Sequence, residues 1–324
     1  MGGDFGLDAT IPAAIAVVDD DPDLTIVLVG KENEIRQKLG EHSDHPRLEI
    51  CHASETVTMD DLPAMSLRKK KDSSMRVAID LVSQGDTNAC VSAGNTGALM
   101  ATARFVLKTI PGIERPAICA ALPKLSGYTH MLDLGANIDS PSDILFQFGL
   151  MGSLLINCLE GVSNPTVGLM NIGVEEVKGN DTIKAAADLF RQSDLNYVGF
   201  VEPNEIYLGK TDLIVCDGFI GNIALKASEG VAQMIMAALK EESTANVLAK
   251  ISAMAASPML NSIKKRLDHR QYNGASLLGL RGTVVKSHGG ADSLGFKHAI
   301  EVAVEEVRKG LISQIENALT LAND

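Results

Sequence analysis

The sequence contains no tryptophan, only 4% aromatic residues, and five cysteines that show neither a CxxC pair nor the paired spacing of metal ligands. This cysteine usage argues against a disulfide framework and a zinc site, and it is typical of a reducing compartment. The chain has no apolar run of 18 residues and no signal-peptide pattern, so we expect no membrane span. Basic residues are fewer than acidic ones, 29 against 41, and the net charge of −12 argues against non-specific nucleic-acid binding.

Small and apolar residues dominate what is present. Hydrophobic residues make up 45% of the 324, and alanine, glycine and valine are abundant. A chain of this length can bury a large core, as one domain over residues 1–324 or as two lobes of that domain. Small side chains let helices pack closely on a sheet, which favours a parallel α/β protein.

The most informative stretch is a glycine-rich turn that follows a short apolar run and precedes an alanine-rich helical pattern. Its candidate ligand-binding residues are Ser92, Gly94, Asn95, Thr96 and Gly97. The pattern predicts a strand, a tight turn and a helix N-terminus. The first turn of a helix has unpaired N–H groups and partial positive charge, so it suits an anion, above all phosphate. The alternative is a turn that only packs a helix on a sheet.

Similar turns recur along the chain, in residues 132–137, 167–181, 213–222 and 283–290. Each places glycine and polar residues where a strand gives way to a helix. In an open parallel sheet such turns gather along the carboxyl edge, where ligands bind. We therefore expect these turns to lie together.

Periodicity predicts the regular elements. We predict helices over 10–19, 32–39, 98–108, 142–159, 181–191, 223–239 and 293–318, and another capped by residues 72–74 that ends at Val82. We predict strands over 25–29, 48–50, 117–122, 197–202, 213–216 and 283–286, with 129–134 as a hairpin or parallel partner of 117–122. Val231, Met234, Ile235 and Ala238 recur at helical spacing, and we interpret them as core.

Two segments suggest contacts with other molecules. Residues 244–270 form two amphipathic halves broken by Pro258 and end with Lys264, Lys265 and Arg266. An apolar tip with a basic collar suits an anionic membrane surface, and a helical hairpin at a dimer interface is the equal alternative. The run of Arg68, Lys69, Lys70 and Lys71 is typical of a solvated loop, or of an anion contact beside a helix N-terminus.

Seven motifs occur in order: MGGDFG at 1–6, KKDSSM at 70–75, SAGNTGA at 92–98, DLGAN at 133–137, NIGVEEVKGND at 171–181, CDGFIGN at 216–222 and KSHG at 286–289. Together they resemble the bacterial phosphate acyltransferase family, which makes acyl-phosphate from acyl carrier protein and inorganic phosphate. The resemblance covers the whole chain. It implies a three-layer α/β/α fold with a mostly parallel sheet, related to phosphotransacetylases and isocitrate/isopropylmalate dehydrogenases.

The resemblance also implies partners and a location. It implies a homodimer in the cytoplasm, in peripheral contact with the inner face of the membrane, that supplies acyl-phosphate to a membrane glycerol-3-phosphate acyltransferase. Family members usually carry an apolar strand before MGGD, and this sequence opens at Met1. Without that strand we expect an unpaired sheet edge and poorly held residues at Gly2, Gly3 and Asp4.

The implied reaction is attack of a phosphate oxygen on a thioester carbonyl, with thiolate as the leaving group. It requires no metal and no cofactor, but it needs anion-binding groups, donors for the carbonyl oxygen and a proton for sulfur. The catalytic candidates are His288, Lys286, Lys226 and Asn222. The other substrate-binding candidates are Gly3, Asp4, Asp133, Asn137, Asn171, Lys178, Asn180, Asp217, Gly218 and Gly221.

Structural alternatives stay open for several of these residues. His288 is otherwise a turn histidine bonded to backbone, Lys226 a surface lysine, and Asp133, Asn137, Asp217 and Asn222 helix caps. Cys216 is a weak nucleophile candidate, because the neighbouring Asp217 carboxylate opposes thiolate formation. Acyl carrier protein is acidic, so we expect contact through Arg68, Lys69 and Lys70 or through Lys264, Lys265 and Arg266.

Two rival functions remain. The first is an isocitrate-type dehydrogenase, which needs a metal-binding acidic cluster that the sequence does not show. The second is an inactive, membrane-docked scaffold that binds acyl carrier protein, which would not need the many polar glycine turns.

Overall fold

The structure, a computed structural model, describes residues 1–260 and 273–323. Its strands are β1 (Ile26–Gly30), β2 (Leu48–His52), β3 (Ala89–Ser92), β4 (Ala117–Pro123), β5 (Tyr128–Leu132), β6 (Thr166–Met170), β7 (Asn196–Val201), β8 (Leu213–Val215), β9 (Ala275–Leu278) and β10 (Thr283–Lys286). Its helices are α1 (Leu7–Asp20), α2 (Glu32–Leu39), α3 (Pro63–Lys69), α4 (Ser74–Gln84), α5 (Thr96–Leu107), α6 (Ser142–Glu160), α7 (Asp181–Arg191), α8 (Glu205–Leu208), α9 (Gly218–Thr244), α10 (Val247–Ala255), α11 (Ser293–Arg308) and α12 (Leu311–Asn323). A 3₁₀ turn spans Gly40–Asp44.

Helix caps explain where several of these elements begin. Ser73 accepts a hydrogen bond from the Arg76 N–H at the start of α4, as the sequence predicts. Asn95, Asn180 and Asp217 cap α5, α7 and α9 in the same way. Such side chains satisfy N–H groups that have no partner within the helix. Helix capping alone therefore accounts for polar residues at these strand-to-helix turns, whether or not they also bind a ligand.

The strands form a parallel β1–β2 pair and an eight-stranded sheet in the order β3-β10-β9-β4-β5-β8-β6-β7. The outer pairs are parallel: β3 with β10 at one end, and β5, β8, β6 and β7 at the other. Between them, β10–β9, β9–β4 and β4–β5 are antiparallel. Residues 129–134 therefore belong to a hairpin, which was one of the two predicted arrangements.

The three antiparallel pairings reverse the strand direction across the sheet. The carboxyl ends of β3 and β10 lie at one edge of the sheet, and those of β5, β6 and β8 lie at the opposite edge. The expectation of one shared carboxyl edge is wrong, because the strands run in two directions; helix α9 nevertheless connects the turn after β8 with the turn after β10. We call the first edge the β3–β10 edge and the second the β5–β8 edge.

Helices cover both faces of the sheet. One apolar core packs α6, α7 and α12 against strands that include β5 and β8, with Phe148, Met151 and Phe190 fully buried. A second core packs α4 and α5 on the other face, around Ile79, Leu99 and Met131. The predicted three-layer α/β/α architecture is confirmed. The β1–β2 pair packs with α1 and α2, and α1 also packs on α11.

Two predicted elements need correction. The helix predicted over 293–318 is broken into α11 and α12 at Gly310, whose φ of +66° favours glycine and ends a helix. The apolar face of α9 is not core: Val231, Met234 and Ile235 are 52%, 63% and 41% exposed. Of this helix, Ala224 and Leu225 pack on the sheet, and the later turns extend past it.

Helix α6 has the length and apolar composition of a membrane span, and it is the one such helix within the described residues. Its residues Ile144, Phe148 and Met151 are buried against the sheet. This burial is that of a core helix in a globular domain.

Candidate active site

The β3–β10 edge brings together three segments that are far apart in the sequence. Lys286 lies opposite Ser92 in the parallel ladder, and the Ser287 N–H donates to the Ser92 carbonyl at 2.9 Å. The Asp4 N–H donates to the Gly289 carbonyl at 2.8 Å, and Gly3 packs against Ala93. The prediction that residues 2–4 are poorly held is therefore wrong, because both turns at this edge contact them.

The glycine-rich turn presents the start of α5 at this edge. The Ser92 hydroxyl accepts from the Gly94 N–H at 3.2 Å, and the Asn95 carboxamide oxygen accepts from the Ala98 N–H at 3.0 Å. The Asn95 amide also donates to the Met59 carbonyl at 2.7 Å, so it holds a neighbouring loop. Thr96 and Gly97 are exposed in the first turn. That turn carries the partial positive charge that favours an anion.

Lys286 supplies a buried cation to the same edge. The residue is 8% exposed, and its ammonium group contacts the carbonyl oxygens of Ala93 and Ser287. The pKa of Lys286 is lowered to about 8, chiefly by burial and also by the nearby Lys226, and Asp4 opposes both. An ammonium group without a close carboxylate partner is poorly compensated, and a bound anion would stabilise it.

Helix α9 reaches this edge with two charged side chains. Lys226 Nζ lies 3.0 Å from Glu229 Oε2, and His288 Nε2 lies 3.8 Å from Glu229 Oε1. The His288 Nδ1 atom accepts from the Gly290 N–H at 3.1 Å. The backbone-bonded alternative for His288 is therefore present in the structure, and the side chain is also 43% exposed.

The Asp133 carboxylate occupies the opposite, β5–β8 edge. Its two oxygens accept five N–H bonds, from Ile118, Gly135, Ala136 and the backbone and side chain of Asn137, at 2.7–3.2 Å. Burial raises the pKa of Asp133, and these hydrogen bonds oppose that rise. The carboxylate is fully buried, so its geometry is that of a structural cross-link.

The start of α9 packs tightly on this cross-link. The Gly218 N–H donates to the Asn137 carbonyl at 2.7 Å, and Asp217 caps the helix through the Ile220 N–H at 2.8 Å. A Cβ atom at Gly221 would overlap the Asp133 carbonyl oxygen, so only glycine fits there. Asn222 is exposed, and a Cβ atom at Gly135 would lie 3.4 Å from its Cβ atom. These residues follow β5 and β8, and Asn222 lies one helical turn before Lys226, so α9 connects them with the cluster around His288.

The β6 turn also lies on the β5–β8 side. Asn180 caps α7 through the Ile183 N–H at 2.9 Å, and Lys178 is exposed. Asn171 is 6% exposed, and among the described residues its amide nitrogen has no hydrogen-bond partner. None of these residues joins the cluster at the β3–β10 edge.

Cys216 is 1% exposed, and its Sγ donates to the Asp133 carbonyl at 3.5 Å. Burial is the main cause of a strongly raised pKa, and Asp133 and Asp217 raise it further. A buried thiol held in the neutral form is a poor nucleophile. The structure therefore argues against an acyl-enzyme at Cys216.

The basic residues predicted to contact other molecules have different surroundings in the structure. Arg68 and Lys69 are exposed at the end of α3. Lys70 is half-buried, with Nζ 2.5 Å from Asp61 Oδ2 and 2.8 Å from the Thr56 carbonyl, so it stabilises the loop before α3. Lys264, Lys265 and Arg266 lie outside the described residues.

Two residues at the β3–β10 edge were not among the site residues predicted from the sequence. Glu229 sits in the middle of a long helix and carries no motif, so only the fold places it beside His288. Asn273 accepts from the His288 N–H at 2.8 Å, and it lies with Gly274 directly before β9, outside the seven motifs. For metals, no group of three or more histidine, cysteine or acidic side chains within residues 1–260 and 273–323 has ligand geometry.

The fold and this cluster define an α/β protein with a cationic, glycine-lined edge suited to an anion. The model of a family described as "Fatty acid synthesis protein" matches residues 1–314. The chain belongs to this family.

Curated relatives cover nearly the whole chain. A phosphate acyltransferase from Legionella pneumophila (strain Corby) is 55% identical over 322 residues, which is 98% of this chain and 94% of that protein. A phosphate acyltransferase from Methylococcus capsulatus is 53% identical, over 99% and 95% of the two chains. The predicted resemblance to phosphate acyltransferases is confirmed, and so is the prediction of an acyltransferase enzyme.

Solved structures support the fold. A phosphotransacetylase from Streptococcus pyogenes superposes with a TM-score of 0.60 at 16% identity, covering 93% of this chain and 91% of that chain. The EutD phosphotransacetylase from Staphylococcus aureus gives a TM-score of 0.58 at 14% identity, covering 92% and 90%. At this identity the likeness concerns the fold alone, and it confirms the predicted relation to phosphotransacetylases.

Proposed function

We propose that the protein transfers a long-chain fatty acyl group from acyl carrier protein to inorganic phosphate and releases acyl-phosphate. One structural observation carries this proposal: the buried Lys286 and the exposed His288 lie two residues apart in the turn after β10, at the edge where α5 begins. The names of the curated relatives support the same reaction.

The reaction follows from this arrangement. Lys286, Lys226 and the first turn of α5 hold phosphate and offset its charge. A phosphate oxygen attacks the thioester carbonyl, the new C–O bond forms, and the C–S bond breaks. The departing sulfur takes a proton from His288, and His288 regains a proton from hydrogen phosphate, which loses one as the acyl-phosphate forms. Lys286 and Lys226 also stabilise negative charge that develops on the carbonyl oxygen.

The direct test is release of free thiol from long-chain acyl carrier protein, measured with and without phosphate. We expect release to require phosphate and to yield acyl-phosphate without added metal or nucleotide. A His288→Ala variant should lose turnover, whereas His42→Ala, on the 3₁₀ turn after α2, should keep it. Thiol release that ignores phosphate, or that is absent, would contradict the proposal, and absorbance change with a nicotinamide cofactor would favour a dehydrogenase.

We propose that acyl carrier protein docks beside α3, with Lys264, Lys265 and Arg266 as a second contact. Arg68 and Lys69 support this, because they are exposed on the helix whose loop is hydrogen-bonded to Asn95. The double variant R68E/K69E should raise KM for the carrier by reversing charge, without changing the thermal unfolding midpoint. An unchanged KM would exclude this surface.

We also propose that the protein is a homodimer in the cytoplasm that contacts the inner face of the membrane and supplies a glycerol-3-phosphate acyltransferase there. The exposed apolar side chains of α9, Val231, Met234 and Ile235, support a subunit interface. Those of α10, Val247 and Leu248, support a membrane contact.

Two pairs of variants separate these contacts. V231E/M234E should convert a dimer into a monomer in light scattering, and V247S/L248S should reduce binding to anionic vesicles while leaving the mass unchanged. If V231E/M234E instead reduces vesicle binding and V247S/L248S produces a monomer, then α10 forms the subunit interface and α9 contacts the membrane.

A further inference from the structure

The carboxamide of Asn273 connects three parts of the structure behind the candidate active site. Its oxygen accepts from the His288 N–H at 2.8 Å. Its amide nitrogen donates to the Ser287 hydroxyl at 2.7 Å and to the Gly295 carbonyl, in the first turn of α11, at 2.6 Å. Asn273 is 8% exposed, so these bonds are shielded from competing water.

The segment that Asn273 holds is the one that carries the reactive side chains. Ser287 is fully buried, and on its other side its N–H donates to the Ser92 carbonyl of β3. The Lys286–His288 segment is thus fixed between β3 and the Asn273 carboxamide. The ladder with β3 ends at Lys286, so the His288 N–H has no acceptor in a neighbouring strand. The Asn273 carboxamide oxygen accepts from this N–H instead.

We propose that Asn273 is a positioning residue for the reaction: it fixes the Ser287–His288 peptide and thereby aims the His288 imidazole at the substrate sulfur. This inference rests on the proposed function for its kinetic consequence, but the positioning itself concerns only the protein. Asn273 lies behind the backbone and contacts the peptide of His288 rather than its ring. It therefore acts through His288.

Truncation of Asn273 should affect turnover more than binding. A displacement of about 1 Å at a reacting group costs on the order of 100-fold in rate. Asn273→Ala should therefore lower kcat by about 100-fold while KM for acyl carrier protein stays within about twofold. The Asn273→Asp variant keeps the acceptor for the His288 N–H but loses the donors to Ser287 and Gly295, so it should retain more kcat than Asn273→Ala and less than the wild type.

The experiment combines these kinetics with amide hydrogen exchange measured by mass spectrometry. In Asn273→Ala the peptide covering residues 286–290 should exchange at least about tenfold faster, because the His288 N–H loses its acceptor. Asn196→Ala is the matched control, since its amide donates to the exposed Asn164 carbonyl at the far end of the sheet. Exchange in that control should be unchanged at 286–290.

The outcomes separate the two proposals. Faster exchange with reduced kcat supports the positioning role, and unchanged exchange or an unchanged kcat in Asn273→Ala overturns it. If Asn273→Ala does not fold, Asn273→Asp decides: a folded variant in which exchange at 286–290 becomes faster while kcat stays at the wild-type value overturns it. A wild-type protein that lacks phosphate-dependent thiol release contradicts the proposed function, and the exchange result still decides whether Asn273 fixes the loop.

Discussion

Replacing Lys286 by methionine should make the protein more stable and less able to bind phosphate. The side chain is 8% exposed, and within the described part of the chain it forms no ion pair with a carboxylate. Its pKa falls from 10.5 to about 8, chiefly through burial and then through Lys226. The folded protein therefore holds a charge that its surroundings disfavour.

The size of this effect follows from the pKa. Each tenfold change in proton affinity corresponds to about 1.4 kcal/mol, so a fall from 10.5 to about 8 corresponds to about 3 kcal/mol. The unfolded chain keeps the lysine charged at no such cost. This cost is complete below pH 8 and disappears as the pH rises toward 10.5, where the unfolded lysine also loses its proton. Methionine has a similar shape and no charge, so at pH 7 we expect Lys286→Met to raise the free energy of unfolding by up to about 3 kcal/mol.

Phosphate binding should change in the opposite direction. A hydrogen bond to a charged group contributes about 1.5–3 kcal/mol, which corresponds to roughly 10- to 150-fold in affinity. We therefore expect KM for phosphate to rise by about that factor in Lys286→Met. In the wild type, KM for phosphate should also rise as the pH increases through about 8, because Lys286 loses its proton there.

Urea unfolding at pH 7 and pH 9.5, and phosphate kinetics between pH 7 and 9.5, measure both effects. The matched control is Lys210→Met, because Lys210 is exposed between α8 and β8. The control should leave stability and kinetics nearly unchanged. A Lys286→Met protein that is less stable than the wild type, or that keeps the wild-type KM for phosphate, would refute the assignment of Lys286 as a strained anion-binding cation.

Three further substitutions test other parts of the structure. His288→Ala should lower kcat by about 10²- to 10⁴-fold with little change in KM for phosphate, as measured by acyl-phosphate formation; an unchanged kcat would remove its role as the acid. Burial raises the pKa of Glu306 to about 7 from 4.5, so wild-type stability in urea should fall by about 3 kcal/mol as the pH rises from 4.5 to 7. Glu306→Gln should abolish this slope, and an equal slope in both proteins would contradict it. Gly221→Ala should cost about 1–3 kcal/mol in thermal unfolding, because its Cβ would overlap the Asp133 carbonyl oxygen; an unchanged midpoint would show that α9 adjusts freely.

Much of the fold could be predicted from local patterns. The bounds of α2, α7 and β10 agree with the predicted 32–39, 181–191 and 283–286, because periodicity and caps act within a few residues. The predicted helix over 293–318 failed at Gly310, where apolar periodicity continues across a break that depends on one backbone conformation. Such a break is predicted only if a glycine is given more weight than the apolar periodicity that continues on both sides of it.

The α9 helix shows a different limit of sequence analysis. An apolar stripe at helical spacing predicts burial, but it does not say against what. Here the stripe with Val231 and Met234 is exposed, because the helix continues past the edge of the sheet that it packs on. The prediction of an apolar helix face was correct, but its interpretation as part of the buried core was wrong.

The candidate site was harder to predict than the fold, because its turns look alike in the sequence. Asn95, Asn180 and Asp217 all cap helices after strands, yet only Asn95 lies at the β3–β10 edge. Which turns share an edge depends on strand direction, and that depends on the antiparallel pairing of β9 and β4 in the middle of the sheet. The partners of each polar side chain then separate the two edges. Asp133 satisfies its carboxylate with five internal N–H groups, whereas Lys286 is a buried cation beside a second lysine. A protein tolerates the first arrangement for stability alone, and the second arrangement, which costs stability, is the one that a negatively charged substrate would compensate.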